Sequence, residues 1–262
     1  MSVGPAFTIE DGSGRLVAAA LHAGHDLRAE VADVIALDDA TRRREEDPGT
    51  DRLTEVAPTR IVSHRSRFEV DFNRPRDQAV YRNPEDSWGL EVWRCTPEGE
   101  LFARSLAIYD EFYNAIEKEF DALAGGGRFL VLDLHSYNHR RRGHSTPAPE
   151  GQNPEVNVGT GTLDRVRWGA VVDRFMDDLG RQDVCGHRVD VRENVRFRGG
   201  HFARWIHARY PDSAVVLAVE LKKTFTDEWS GDIDFEHLDQ LRSALSATTP
   251  ATLGALDRCK ER

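Results

Sequence analysis

The stretch Phe129-Leu-Val-Leu-Asp-Leu-His135-Ser-Tyr137 follows Gly125-Gly126-Gly127, and its reading decides the fold. Five of its first six residues are apolar, and the run then stops at polar side chains. Such a run, bounded by glycines, predicts a strand buried on both faces, as in the parallel sheet of an α/β protein. Open α/β sheets bind ligands at the carboxyl ends of their strands, so His135 is a candidate site residue. Two more runs end in the same way. Leu16–Leu21 leads into His22-Ala-Gly-His25, and Ala214–Val219 leads into Glu220.

The rest of the chain alternates strand and helix patterns, which predicts one α/β domain over residues 1–262. Strands are expected at 15–21, 59–63, 66–72, 88–93, 187–192 and 214–221. A short helix is expected at 26–37, with a polar surface loop at 38–52. The longest helix is expected at 97–123, where Phe102, Leu106, Tyr109, Phe112, Ile116, Phe120 and Leu123 form a helical stripe. Thr96 would cap it, with Pro97 in its first turn and Gly125 just past its end. Residues 138–162 read as a long ordered loop. Further helices are expected at 163–180, 199–209 and 234–246, the last followed by a polar tail.

Composition narrows the function. The 262 residues carry 35 Lys and Arg against 45 Asp and Glu, a net charge of −10. Phosphate contact needs a basic surface, so no nucleic-acid partner is expected. Three dispersed cysteines, Cys95, Cys185 and Cys259, cannot all pair, which points to a reducing cytoplasm and away from a thiolate metal site. The N-terminus lacks the pattern of a signal peptide. No apolar run approaches the roughly 20 residues of a membrane span, so no membrane partner is expected.

The strand ends point to metal chemistry. Zinc in a catalytic site takes about three protein ligands and keeps a position for water. His22 and His25 lie three residues apart and can face one site from a turn, and His135 offers a third nitrogen from a neighbouring strand end. A carboxylate among Glu45, Glu46, Asp47 and Asp51 competes with His25 for the second position. Asp133 is a candidate to orient His135. Glu220, at the end of a buried strand, would be pushed toward the pKa of a general base, unless Lys222 or Lys223 pairs with it. In Asp71-Phe-Asn73-Arg74-Pro-Arg76, the guanidinium and amide groups suit a substrate carboxylate, although the segment also reads as a turn. The basic loop Arg140-Arg-Arg142 is open to two readings, an anion contact or a solvated loop.

These pieces together resemble the N-formylglutamate amidohydrolase family, a branch of the zinc carboxypeptidase-like hydrolases. The resemblance rests on HAG at 22–24, SRFEVDFNRP at 66–75, DLHS at 133–136, GGHFARW at 199–205 and VELKKTFTDE at 219–228. It implies a three-layer fold with a mixed, mostly parallel sheet flanked by helices. It also implies Zn²⁺, or another divalent transition metal, held by His22, His135 and a second ligand. The superfamily has Glu in a His-x-x-Glu pair where this chain has His25. The same resemblance implies Asn73 and Arg74 at the substrate and Glu220 as the base, and the residues of segment 71–76 offer Arg76 as a further substrate contact. The expected activity is hydrolysis of an N-acyl amide on a small anionic amino acid such as N-formylglutamate. The rival readings are a carboxypeptidase-like hydrolase of a peptide or glutamyl conjugate, and a metal-binding regulatory protein without catalysis.

Overall fold

The computed structural model of the protein describes residues 4–146 and 148–259. The strands are β1 (Phe7–Glu10), β2 (Leu16–Ala20), β3 (Thr59–Ser63), β4 (Phe129–Tyr137), β5 (Val156–Gly159), β6 (Asp183–Val184), β7 (His187–Arg188), β8 (Val191–Glu193) and β9 (Ala214–Lys222). The α-helices are α1 (Ala29–Ala32), α2 (Asp39–Glu45), α3 (Thr50–Leu53), α4 (Gly99–Gly126), α5 (Arg165–Leu179), α6 (His201–Arg209) and α7 (Phe235–Arg258). Seven strands form one sheet in the order β1-β3-β2-β4-β9-β5-β8, while β6 and β7 make a separate hairpin. From β3 through β2 and β4 to β9 the pairing is parallel. β1 joins β3 and β5 joins β9 antiparallel, and β8 runs parallel to β5. This is a mixed, mostly parallel sheet flanked by helices, as the sequence predicts.

The apolar runs supply both faces because neighbouring strand residues point to opposite sides. Leu130, Leu132, Leu134, Leu217 and Val219 pack toward Trp168 and Phe175 of α5 and Leu241 and Leu245 of α7. Phe129, Val131 and Val216 face Phe112, Ile116 and Phe120 of α4 and Phe202 and Ile206 of α6. His135 shares the face of Phe129 and Val131, and Glu220 shares that of Val216, so both point to the α4/α6 side at the carboxyl edge of the sheet.

Several boundaries differ from expectation for physical reasons. Residues 66–72 alternate like a strand, but they form turns, with Ser66 O accepting from Glu69 N and Val70 N. Their charged members Glu69 and Asp71 are fully buried alongside Phe68, Val70 and Phe72, so the alternation does not separate core from solvent. Residues 88–93 contribute only an isolated bridge, Ile35 to Trp93. The helix expected at 26–37 shrinks to α1. Thr96 does not cap α4, which starts at Gly99 after Glu98 and runs past Gly125 to Gly126, with Gly127 as its C-cap. β5 lies inside the region expected to be loop, too short to show a pattern.

Helix α7 runs 12 residues beyond the expected end at 246, straight through Pro250. A proline offers no N–H to the carbonyl four residues back. Here that carbonyl, Ser246 O, accepts instead from Thr249 Oγ1 at 2.9 Å. The hydroxyl takes over the missing helical hydrogen bond.

Phe112 is fully buried and stacks on Phe72 with ring centroids 4.2 Å apart. We expect Phe112→Ala to destabilise the protein by about 3–5 kcal/mol. Urea denaturation with an unchanged slope and a lower midpoint would show it.

Candidate active site

The site is assembled where β2, β4 and β9 end. Parallel register sets His135 of β4 beside Glu220 of β9. Asp133 and His135, two residues apart, point to the same face. His22 follows β2, the other neighbour of β4. Its turn is tight: a Cβ on Gly24 would lie 2.3 Å from the backbone carbon of His64, so only glycine fits there.

The third member comes from the segment expected to be a surface loop. Residues 38–52 instead fold into α2 and α3, and the acidic run between them turns inward. Asp38 caps α2 by accepting from Thr41 N at 2.7 Å. Asp47 N donates to His22 O at 2.9 Å, which hooks the segment to the first strand end. Lys223 Nζ donates to Arg44 O and Glu46 O, each at 2.6 Å, and holds it from the other side. Burying such a charged segment is tolerated because its charges are paired. Glu45 accepts a bidentate pair from Arg141 at 2.6 and 2.9 Å, and Glu46 contacts His25 and Ser66.

Asp47 thereby reaches the two histidines. Its Oδ2 lies 3.1 Å from His135 Nδ1 and 3.5 Å from His22 Nδ1. His22, Asp47 and His135 are all buried, and each offers one ligand atom within 4.8 Å of the others. The outer ring nitrogens are also held by carboxylates. His22 Nε2 is 2.7 Å from Asp71 Oδ1, and His135 Nε2 is 3.0 Å from Asp133 Oδ1. A carboxylate at Nε2 draws the ring proton there and leaves the Nδ1 lone pair facing inward, as a metal ligand requires. Asp71 also accepts from Arg67 Nη2, Tyr81 Oη and Asn73 N. Burial opposes its charge, but His22 and Arg67 hold its pKa well below the usual carboxylate range.

Two expected site residues sit elsewhere. His25 is not part of the buried group. Its Nδ1 is 2.5 Å from Glu46 Oε2 and its Nε2 is 2.7 Å from Asp39 Oδ1, so both ring nitrogens already have partners. Of the four carboxylates weighed for that place, the structure brings Asp47. Asp51 instead lies in α3, exposed. Arg76 does not line the cavity. It forms a bidentate pair with Asp110 on the surface at 2.6 and 2.8 Å. Arg76 opens a short 3₁₀ turn, Arg76–Gln78, that follows Pro75.

Asn73 and Arg74 do reach the cavity. Asn73 Oδ1 accepts from Phe202 N at 3.0 Å, and its Nδ2 lies 3.2 Å from His135 Nε2. Arg74 Nη2 donates to Asp86 O at 3.2 Å. Glu220 lines the same cavity of about 240 Å³, and its side chain has no hydrogen bond or ion pair among the described residues. Neither Lys222 nor Lys223 pairs with it. Burial raises its pKa to about 7, with Asp47 and Asp133 adding to the shift and His135 opposing it. Lys223, weighed in the sequence only as a partner for Glu220, also lines the cavity, as do Arg67, Trp88 and Arg198, which sequence reasoning did not single out. Arg67 had a signal, since it lies four residues before Asp71 in one motif. The others come from loops that only folding brings near.

The sheet thus gathers two imidazoles, a carboxylate and a glutamate of raised pKa around one cavity, an arrangement suited to hydrolytic chemistry. The family model described as N-formylglutamate amidohydrolase matches residues 14–225. The chain belongs to that family, and it is a hydrolase acting on a C–N amide bond. It is 29% identical over 194 residues to an N-formylglutamate deformylase of Pseudomonas aeruginosa, covering 68% of each chain. Its fold is similar to the crystal structure of an N-formylglutamate amidohydrolase from Ralstonia eutropha JMP134, with a TM-score of 0.73 at 17% identity over 97% of this chain and 99% of that one. It is also similar to a gene product of Agrobacterium tumefaciens, with a TM-score of 0.68 at 18% identity over 97% of each chain. Among the described residues, no helix is long and apolar enough to cross a membrane.

The raised pKa of Glu220 has a consequence for stability. The folded state favours the protonated carboxyl, so this contribution is full below the unfolded value of about 4.5 and is lost as pH rises through about 7. In chelator-treated protein, Glu220→Gln is therefore expected to gain about 2–3 kcal/mol over wild type at pH 8 and little at pH 4.5. Thermal melts across this range would test it, and a constant difference would contradict the burial argument.

Proposed function

We propose that the protein is a metal-dependent N-formylglutamate amidohydrolase, with His22, Asp47 and His135 as the metal ligands. The observation that carries this reading is the convergence of that buried group with Glu220 in a single cavity. The donor set fits a metal. Two imidazole nitrogens and one carboxylate oxygen suit zinc or a neighbouring divalent transition metal, and both Nδ1 atoms already lie near Asp47 Oδ2. When bound, such a metal polarises the amide carbonyl and lowers the pKa of the attacking water.

The remaining steps fall to the chain's own residues. Glu220 takes a proton from the water as its oxygen attacks the formyl carbon. The C–N bond breaks, and Glu220 returns the proton to the departing nitrogen, so formate and glutamate leave. A carboxyl with a pKa near 7 is suited to both tasks, because neither its acid nor its base form is strongly disfavoured at neutral pH. Arg74 holds the substrate α-carboxylate or the developing oxyanion, with Asn73 beside it. Asp71 and Asp133 orient the imidazoles. Lys223 keeps Asp47 in place through the two backbone carbonyls it binds.

The tests separate the ligand set from the base. Asp47→Ala and His135→Ala should lose stoichiometric metal on elemental analysis, whereas His25→Ala should keep it. Full metal content in Asp47→Ala would refute the assignment. Glu220→Gln should retain metal and fold, yet lower kcat for N-formylglutamate by about 10²–10⁴-fold.

A further inference from the structure

N-Formylglutamate carries two carboxylates, and the reading above finds a cation for only one. Five cationic side chains line the cavity: Arg67, Arg74, Arg141, Arg198 and Lys223. Most are committed. Arg67 contacts Asp71 and Tyr81, Arg141 is bidentate on Glu45, and Lys223 is taken up by two carbonyls. Arg74 keeps most of its donors free. Arg198 alone has a guanidinium without any hydrogen bond or ion pair among the described residues.

The backbone that carries Arg198 is, by contrast, firmly held. Asn157 of β5, the register partner of Glu220, binds it from below. Asn157 Oδ1 accepts from Arg196 N at 2.8 Å, and its Nδ2 donates to Phe197 O at 2.9 Å. Gly161 N donates to Arg198 O at 2.7 Å. On the far side, Gly200 lies against Asn73 so closely that an added Cβ would sit 2.2 Å from Asn73 Oδ1. The segment is therefore clamped between the partner strand of Glu220 and the neighbour of Arg74. Its other arginine, Arg196, donates to Asn153 Oδ1 at 2.6 Å, while the Arg198 side chain has no protein partner among the described residues. An unpaired guanidinium on a fixed backbone is preorganised to bind a carboxylate.

We propose that Arg198 is the second carboxylate anchor, holding the side-chain carboxylate of the substrate and selecting dicarboxylic over monocarboxylic N-acyl amino acids. This rests on the amidohydrolase reading of the same site. Arg74 and Arg198 enter from different loops, so one dianionic substrate bridges them and is fixed at both ends.

The test compares N-formylglutamate with N-formylnorvaline, which has a methyl group in place of the side-chain carboxylate. In Arg198→Ala, the ratio of kcat/KM for the two substrates should fall about 10- to 100-fold, mainly through KM for N-formylglutamate. Arg198→Lys should recover part of it. In parallel, calorimetry should show that wild type binds glutarate more tightly than butyrate and that Arg198→Ala does not. An unchanged kinetic ratio, or an unchanged preference for glutarate, in Arg198→Ala overturns the inference while leaving the amidohydrolase reading intact. If wild type hydrolyses neither substrate, the amidohydrolase reading falls, and the glutarate and butyrate titrations still decide whether Arg198 is a carboxylate anchor.

Discussion

The carboxylate of Asp47, set between the Nδ1 atoms of His22 and His135, is the contact on which the rest of the site depends. Three buried polar groups from three separate segments meet there. Each would be costly to bury alone. Together they are stable only because every outward-facing atom is also satisfied, by Asp71 on one imidazole, Asp133 on the other and Ser136 on the aspartate. A cation placed among the inward atoms would complete the same arrangement, since the group otherwise leaves lone pairs facing one another.

That requirement explains features that look unrelated. Segment 38–52 is rich in charge, yet its acidic end is buried, because Lys223, Arg141, His25 and Ser66 supply partners for its carbonyls and carboxylates. The turn 66–72 folds inward rather than extending as a strand, because Asp71 must reach His22 and Glu69 must meet Arg28. Glu220 differs from all of these. Among the described residues it is the carboxyl in the cavity whose side chain has no hydrogen-bond partner, so burial carries its pKa up to about 7 against only the nearby charges of His135 and Arg67. The site thus divides its carboxylates by environment: paired ones hold geometry, with Asp47 and Asp71 kept below the usual carboxylate range by their partners, and the unpaired one is free to exchange a proton.

Much of this was legible in the chain. The strands ending at His22, His135 and Glu220 are apolar runs long enough to read, and their polar tips stand out against them. Asp133 was legible as a partner because period two keeps it on the face of His135. The stripe from Phe102 to Leu123 identified α4, although its caps did not follow the expected residues. By contrast, α7 was cut short at residue 246, since Pro250 normally ends a helix and the Thr249 hydroxyl that compensates is a side-chain detail. β5 and the Arg198 loop were missed because four residues show no reliable period and loops carry none.

The sequence by itself determined which strands are buried and which side chains stand at their ends, because hydrophobic periodicity and strand direction are local properties. It narrowed the second ligand to His25 or one of four carboxylates and could go no further. Only the tertiary structure brought Asp47 to the two histidines, turned His25 and Arg76 toward other partners, and left the Arg198 side chain without one among the described residues. Those outcomes depend on hydrogen bonds between residues tens of positions apart, such as Asp47 N to His22 O and Lys223 Nζ to Glu46 O. Spacing along the chain does not encode them, because they arise from the cost of burying charge without a partner, which is settled only once distant segments are packed together.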